Sequence, residues 1–281
     1  MIVEPGFFQS SSVQLAIAVG ALVAIVTGCV GVFTVIRGQA FAGEALGDMG
    51  AAGGSSAYLA GVAPIWGFVV ISLAAAGVME LIGVQRARGR DLATGIVLGA
   101  GLGLAALFLY LGTTYHNTTG ATVTILFGSI FTLAPSTLPV VAVLAALALG
   151  IVLVLYRPLL LASLSPDLAA ARGVPVRLIG ILYLTAMALA VALSAVTIGA
   201  ILSTALLIGP AATSLQLTAR PLRATVTATL IGIGVTWLGI LLAYDSYDWP
   251  YHGWPVSFFV VTLVLIGYIT ARAIAARRRR G

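Results

Sequence analysis

Long apolar runs, separated by short polar segments, extend along almost the whole chain. A helix that crosses a bilayer needs about 20 mainly apolar residues, and these runs reach that length. They lack the alternation of polar and apolar positions found in strands of membrane barrels, so they predict helices. The predicted crossings are residues 13–36, 42–61, 66–84, 92–113, 138–156, 178–196, 198–216, 224–243 and 256–274. The apolar stretch 122–134 is too short to cross and predicts a re-entrant or surface helix.

The composition agrees with an all-α, polytopic integral membrane protein of about nine transmembrane helices, with residues 1–281 forming one domain. Hydrophobic residues make up 60% of the 281 positions and charged residues 8%, whereas a soluble domain has about 25% charged residues. The N-terminal segment lacks a basic start, so we expect no cleaved signal peptide. Cys29 is the single cysteine, which excludes a disulfide within the chain.

The basic residues predict the orientation in the membrane. All fourteen are arginine, and they cluster in some of the breaks between apolar runs. Cytoplasmic loops carry the excess of basic residues, so the breaks that contain arginine face inward. The arginines are Arg37, Arg86, Arg88, Arg90, Arg157, Arg172, Arg177, Arg220, Arg223, Arg272 and those at 277–280. We therefore expect the N-terminus outside and the C-terminus in the cytoplasm. The terminal arginines predict an anchor on anionic lipid and no nucleic-acid partner.

Two acidic residues, Glu44 and Asp48, lie four positions apart in the second predicted crossing. On a helix this spacing places both carboxylates on one face. Ionisable groups within a membrane are costly and usually face an ion path or a water-filled cavity. Repulsion between the carboxylates would be relieved by a divalent cation. The pair therefore predicts either a metal site or solvated charge in a cytoplasmic vestibule.

The other acidic residues have simpler interpretations. Asp91 precedes the fourth crossing, where a carboxylate caps free backbone amides. Glu80 lies near the inner end of the third crossing, within reach of Arg86 or Arg88, and predicts an ion pair. Glu4, Asp245 and Asp248 fall in outer segments and are expected to be solvated.

The segment between the fifth and sixth crossings contains start and stop signals for one short helix, within 164–174. Ser165 and Pro166 suit the N-cap and the first helical position, whereas Gly173 and Pro175 suit its end. A capped helix of about two turns in a cytoplasmic loop is either a contact for a partner or a plain connector.

In the seventh crossing, the Gly209-Pro210 dipeptide predicts a break or kink. Interrupted helices often border the substrate path of transporters, although a purely structural kink is the alternative.

Six segments, in this order, resemble the permease family of ABC importers for zinc, manganese and iron. They are 31–37 (GVFTVIR), 43–46 (GEAL), 91–95 (DLATG), 126–128 (LFG), 167–175 (DLAAARGVP) and 199–210 (GAILSTALLIGP). The resemblance covers nearly the whole chain. It implies a permease of the type II, vitamin B12 importer-like architecture in the plasma membrane of a bacterium. It also implies three partners, namely a second permease copy as in a homodimer, a cytoplasmic ATPase subunit and an extracellular metal-binding lipoprotein.

The resemblance also implies roles for particular residues. Glu44 and Asp48 correspond to a carboxylate and a histidine of the family's metal pathway. The coupling helix, which contacts the ATPase, contains Asp167, Ala171, Arg172 and Gly173. Asp91, Gly128, Gly209 and Pro210 correspond to pathway or structural positions.

The chain departs from the family pattern in two places, which bear on the cargo. Asp48 replaces the histidine, and the family's Pro-Ser-Gly after the eighth helix is absent. Carboxylates suit manganese and other hard ions, whereas imidazole suits zinc. We therefore expect manganese or iron as the cargo rather than zinc, with no permanently bound cofactor. His116 and His252 either receive metal or are ordinary loop residues.

The sequence contains no ATP-binding loop and no lysine, so an importer of this kind would take its energy from another chain. The alternative is a stand-alone carrier that couples metal movement to an ion gradient through Glu44 and Asp48. No motif for an intramembrane enzyme is present, so we do not expect the chain to be an enzyme.

Overall fold

The computed structural model describes residues 7–84, 87–116, 119–128, 130–248 and 253–278. These residues form α-helices and short 3-10 turns, without a strand among them. The helices are α1 Ser11–Ile36, α2 Ala40–Leu59, α3 Pro64–Ile82, α4 Ala87–His116, α5 Thr119–Phe127, α6 Thr137–Val154, α7 Tyr156–Leu164, α8 Pro166–Ala171, α9 Val176–Ile198, α10 Ser203–Leu217, α11 Pro221–Asp245 and α12 Val256–Arg278.

Seven of these helices are long and apolar enough to cross a membrane, namely α1, α3, α4, α6, α9, α11 and α12. The all-helical, multi-pass prediction is therefore confirmed. Helices also form at the two remaining predicted crossings, but neither is both long and apolar enough to be counted among these seven. α2 contains two carboxylates and five glycines, and α10 has only 15 residues.

Helices α1 and α9 form the centre of the bundle. In their most apolar stretches, 61% of α1 and 78% of α9 is buried. Tyr183 of α9 is fully buried, and its hydroxyl lies 2.6 Å from the hydroxyl of Thr34 in α1. The same tyrosine donates a hydrogen bond to the Val30 carbonyl at 3.2 Å. A buried hydroxyl needs such partners, so this contact sets the relative position of the two central helices.

The outside of the bundle is apolar. Leu81, Val154 and Phe41 are each about four-fifths exposed, which in water would favour aggregation. In a bilayer these side chains would contact acyl chains, in agreement with the seven candidate crossings.

Helix α4 begins earlier than the sequence predicts. It starts at Ala87, so Asp91 is its fifth residue and is exposed. The prediction that Asp91 caps this helix is wrong. The helix extends past the apolar run into a polar turn, because alanine and arginine are both strong helix formers.

The predicted crossing 198–216 is also shorter than expected. α9 continues to Ile198, and α10 begins only at Ser203. Between them, Gly199 has a φ of +92°, a conformation that favours glycine. The N–H groups of Ala200 and Ile201 donate to the carbonyls of Ile125 and Leu126 in α5, at 3.1 and 3.4 Å. The backbone N–H groups freed by this interruption therefore find their hydrogen-bond acceptors in the short helix α5.

Gly209-Pro210 does not break a helix, contrary to the sequence prediction. α10 continues through Pro210, which is buried. Gly209 allows α12 to approach, because a Cβ at this position would collide with Cγ1 of Val264. Membrane helices tolerate an internal proline where neighbouring groups compensate for the lost hydrogen bond.

The predicted short helix is present as α8, a single six-residue helix that packs against α7 and α9. Its side chain at the N-cap, Ser165, makes no capping hydrogen bond. The helix ends at Ala171. In the turn that follows, Gly173 has a φ of +76°, and the N–H of Val174 donates to the Ala169 carbonyl at 3.0 Å. The preceding helix α7 was not predicted, because its proline and arginine resemble those of a loop.

Gly128 directly follows α5 and lies against the backbone where α9 ends. We predict that a residue with a side chain cannot replace it without loss of stability. Its φ is +82°, and a Cβ would lie 2.5 Å from the Thr197 carbonyl oxygen. Gly128→Ala should therefore destabilise the protein by about 1–3 kcal/mol from backbone strain alone, measured as a lower thermal unfolding midpoint. The control is Gly103→Ala in α4, where a Cβ meets nothing within 4 Å. Equal midpoints for the two variants would contradict this assignment.

Candidate cation site

The two carboxylates predicted to act together are one turn apart on α2. Glu44 and Asp48 are both half-buried. The hydroxyl of Thr204, near the start of α10, donates a hydrogen bond to Glu44 Oε2. The site is therefore formed by two helices, and the break that precedes α10 brings Thr204 to the carboxylate.

Glycines allow the helices around the pair to pack closely. A Cβ at Gly43 would lie 3.0 Å from Leu207 Cδ2, and one at Gly47 would lie 3.0 Å from Ser203 Oγ. On α4, a Cβ at Gly101 would lie 2.7 Å from the backbone nitrogen of Met49. Small residues at such contacts let backbones approach within a membrane. Helix α2 is thus held between α10 and α4, with its carboxylates between them.

Oxygen atoms dominate the polar groups beside the pair. Ser203 Oγ donates to the Ala200 carbonyl at 2.9 Å, and Ser194 Oγ donates to the Ser203 carbonyl at 3.1 Å. Within the described part of the chain, no basic side chain forms an ion pair with Glu44 or Asp48. Two neighbouring carboxylates without a basic partner repel each other, and a divalent cation between them would remove that repulsion.

The chain by itself supplies an incomplete ligand set. Among the described residues, no group of three or more histidine, cysteine, aspartate or glutamate side chains is placed to hold a metal ion. Two carboxylates and one hydroxyl suit a hard cation that keeps some of its water. Such an arrangement can let an ion pass and need not hold it tightly.

The other predicted site residues lie elsewhere. In α8 and the turn after it, Asp167, Ala171, Arg172 and Gly173 are all exposed, and they form a surface separate from the carboxylates. Gly128 closes α5 against the break before α10, as described above. His252 and the side chain of His116 lie outside the described residues.

Glu80 pairs with a different arginine from those predicted. Its Oε1 lies 3.3 Å from Arg177 Nε at the start of α9. Arg86 and the side chain of Arg88, the two predicted partners, lie outside the described residues. The ion pair crosses between α3 and α9, which sequence distance alone does not reveal.

Cys29 has a packing role. The Cys29 Sγ lies 3.9 Å from the hydroxyl of Thr229 on α11, at the contact between α1 and α11. This weak contact agrees with a small packing residue.

A cavity of about 250 Å³ lies beside α5, away from the carboxylates. Its lining includes Pro64, Phe68, Ile125 and Val196, and it has no acidic side chain. The lining also contains Thr124, Thr132 and Thr137, but it has no charged side chain that could balance a cation. The candidate site therefore remains the pair on α2.

Comparison with known proteins gives consistent matches along nearly the whole chain. The profile of the ABC 3 transport family matches residues 9–271. The manganese transport system membrane protein MntC of Halalkalibacterium halodurans is 31% identical over 211 residues, which cover 75% of this chain and 71% of the relative. MntC of Listeria monocytogenes is 27% identical, covering 87% of this chain and 86% of the relative.

The fold is similar to that of a solved structure, PsaBC from Streptococcus pneumoniae in complex with Fab. The TM-score is 0.80 with 24% sequence identity, and the match covers 95% of this chain and 92% of the other. At this identity the similarity establishes the shared fold.

We predict that the Thr204 hydroxyl stabilises the packing of α10 on α2. Thr204→Val should lower the thermal unfolding midpoint, because hydrogen bonds to charged groups contribute about 1.5–3 kcal/mol, and less where Glu44 is solvated. Thr204→Ser keeps the donor and should retain most of the stability. Thr185→Val is the matched control, because that exposed hydroxyl bonds only within its own helix. If Thr204→Val unfolds at the same temperature as the control, the contact does not stabilise the bundle.

Proposed function

The chain belongs to the ABC 3 transport family, and from this membership we propose that it is the membrane-spanning permease subunit of an ATP-driven importer. Its cargo would be divalent transition-metal ions, with manganese preferred. ATP hydrolysis would take place in a separate subunit. The observation that carries the proposal is the carboxylate pair, Glu44 and Asp48, held between α10 and α4 without a basic partner among the described residues.

The chemistry of the pair supports manganese. Its ligands are carboxylate and hydroxyl oxygens, and the position where the resembling family has a histidine is occupied by Asp48. Manganese accepts oxygen ligands more readily than zinc, which favours imidazole and thiolate. The relatives described above are named as manganese transport proteins. Iron is the second candidate for the same reason of ligand preference.

The proposed topology has nine crossings, with the seven apolar helices completed by α2 and α10. The less apolar α2 is tolerated in a membrane because α3, α4, α9 and α10 cover it. In this proposed topology the N-terminus would lie outside, and the arginine-rich segments and α8 would lie in the cytoplasm. The bundle would have the type II permease architecture.

Three partners complete the proposed importer. A cytoplasmic ATPase would dock on the exposed face of α8, and an extracellular metal-binding lipoprotein would deliver the ion. A second permease copy would face the first across the pathway. Remaining metal ligands would then come from water, from backbone carbonyls or from the second copy.

A stand-alone carrier driven by an ion gradient is the alternative function for the same carboxylates. Family membership does not favour it, and a carrier of that kind has no need of the short, exposed helix α8. Loss of metal uptake when the ATPase is inactivated would distinguish the importer from the carrier.

We predict that neutralising the carboxylate pair abolishes metal uptake. The double variant Glu44→Gln with Asp48→Asn should lower manganese accumulation in cells by about 10-fold or more, in line with the loss usual when metal-site groups are altered. The measurement is accumulation of manganese, iron and zinc, each supplied individually. Both substitutions keep the side-chain size, so protein abundance should be unchanged.

The matched control is Asp245→Asn at the outer end of α11, which removes one carboxylate away from α2. It should leave uptake at the wild-type level. Normal accumulation in the double variant, at equal abundance in the membrane, would exclude the pair from the pathway.

We also predict that α8 binds the ATPase. Asp167→Ala combined with Arg172→Ala removes two exposed charged side chains at its two ends and should weaken copurification of the ATPase roughly tenfold, the loss expected from an important contact. Arg272→Gln removes one exposed charge on α12 and should leave the complex intact. A stable complex with normal transport in the double variant would make α8 a simple connector.

A further inference from the structure

A second cluster of polar groups lies where α1 ends and α2, α4 and α7 meet. Arg37 follows α1, and its Nη1 donates to Ser163 Oγ of α7 at 3.4 Å. Its Nε donates to Gln39 Oε1 at 3.1 Å. A Cβ at the intervening Gly38 would lie 3.4 Å from Arg90 Nη1 of α4. Two guanidinium groups and one amide therefore converge on the short turn between α1 and α2.

Two buried donors in this cluster have no acceptor among the described residues. They are Gln39 Nε2 and Arg90 Nε. Gln39 is only 1% exposed. Arg37 donates to the amide oxygen of Gln39. The amide nitrogen of Gln39 therefore points away from the Arg37 guanidinium. Leaving such donors without an acceptor is unfavourable, because each loses its hydrogen bonds to water on burial.

The cluster is also positively charged. No described carboxylate pairs with Arg90, and the nearest acidic neighbour in sequence, Asp91, is exposed. Burial lowers the pKa of Arg37, which follows the spanning part of α1; the nearby Tyr183 opposes this change, and the positive charge of Arg90 adds to it. The two arginines are therefore close enough to repel each other. An anion would relieve that repulsion.

The missing partner must accept several hydrogen bonds and carry negative charge. A phosphate group does both, and guanidinium groups bind it in a fixed, bidentate geometry. The start of α2, directly after Gln39, adds the partial positive charge of a helix N-terminus. Gly38 is exposed, so the cluster is open on one side.

We propose that Arg37, Gln39 and Arg90 form a binding site for a phosphate group, supplied by an anionic phospholipid of the inner leaflet or by free phosphate. The site lies at the helix ends where basic residues predict the cytoplasmic surface, the depth of lipid headgroups. Basic pockets between membrane helices on that side commonly bind anionic headgroups. The bound phosphate joins the ends of α1, α2 and α4, and it therefore stabilises the inner end of the bundle.

The experiment uses the purified, delipidated full chain in a neutral detergent. The thermal unfolding midpoint is measured against increasing short-chain phosphatidylglycerol, phosphatidylcholine or inorganic phosphate. Phosphatidylglycerol should stabilise the wild type at a concentration about tenfold lower than phosphatidylcholine does, because only the former has a net negative charge. Saturation by inorganic phosphate, with competition against the lipid, would identify free phosphate as a sufficient ligand. An effect of phosphatidylglycerol alone would identify the lipid as the source.

Two variants test the residues. Arg90→Gln removes a positive donor and should weaken the phosphatidylglycerol effect about tenfold. Gln39→Glu keeps the side-chain size but places an acceptor between the arginines, so it should raise the midpoint without lipid and remove the response to lipid. Arg223→Gln at the start of α11 removes an exposed charge elsewhere and should respond like the wild type.

Three results would overturn the proposal. The first is an equal response of the wild type to phosphatidylglycerol and phosphatidylcholine with none to phosphate. The second is a wild-type response in both cluster variants, and the third is an equal loss in Arg223→Gln. If Arg90→Gln fails to fold, Gln39→Glu still decides between these outcomes. A cluster that serves instead to bind an acidic side chain of another protein would give the first result.

Discussion

The close packing of α2 against α10 is the contact on which the candidate site depends. Gly43 and Gly47 remove the side chains that would separate the two helices. The approach brings the Thr204 hydroxyl to Glu44 and keeps Asp48 one turn away on the same helix. A larger residue at either glycine would move α10 away from α2. Glu44 would then lose its hydrogen bond from Thr204, although neither carboxylate had been changed.

The same packing requires that α10 start late. Within a membrane, backbone groups outside a helix must find partners in the protein. The segment 199–202 finds two of them in the carbonyls at the end of α5. Gly128 and Gly199 permit this backbone contact because each has a positive φ and no side chain. The short helix α5 therefore has a structural reason to exist, although it is too short to cross a bilayer.

Much of the helical fold could be predicted from the sequence, because the length of an apolar run is a property of a single segment. The helical class, the position of α8 and the i, i+4 placement of Glu44 and Asp48 follow from local patterns. The contacts of Thr204, Gly101 and Arg177 depend on residues distant in sequence, and no local pattern predicts them. The predictions of a cap at Asp91 and of a break at Pro210 were wrong, because packing and helix propensity extended these helices beyond the local signals.

We propose that a divalent cation passes between Glu44 and Asp48. The most direct measurement is anomalous X-ray scattering from crystals of the permease soaked in manganese. We expect a manganese peak within coordination distance of carboxylate oxygens from both residues, with the remaining ligands being oxygen atoms. A well-occupied manganese site elsewhere in the membrane region, with no density at these two carboxylates, would contradict it.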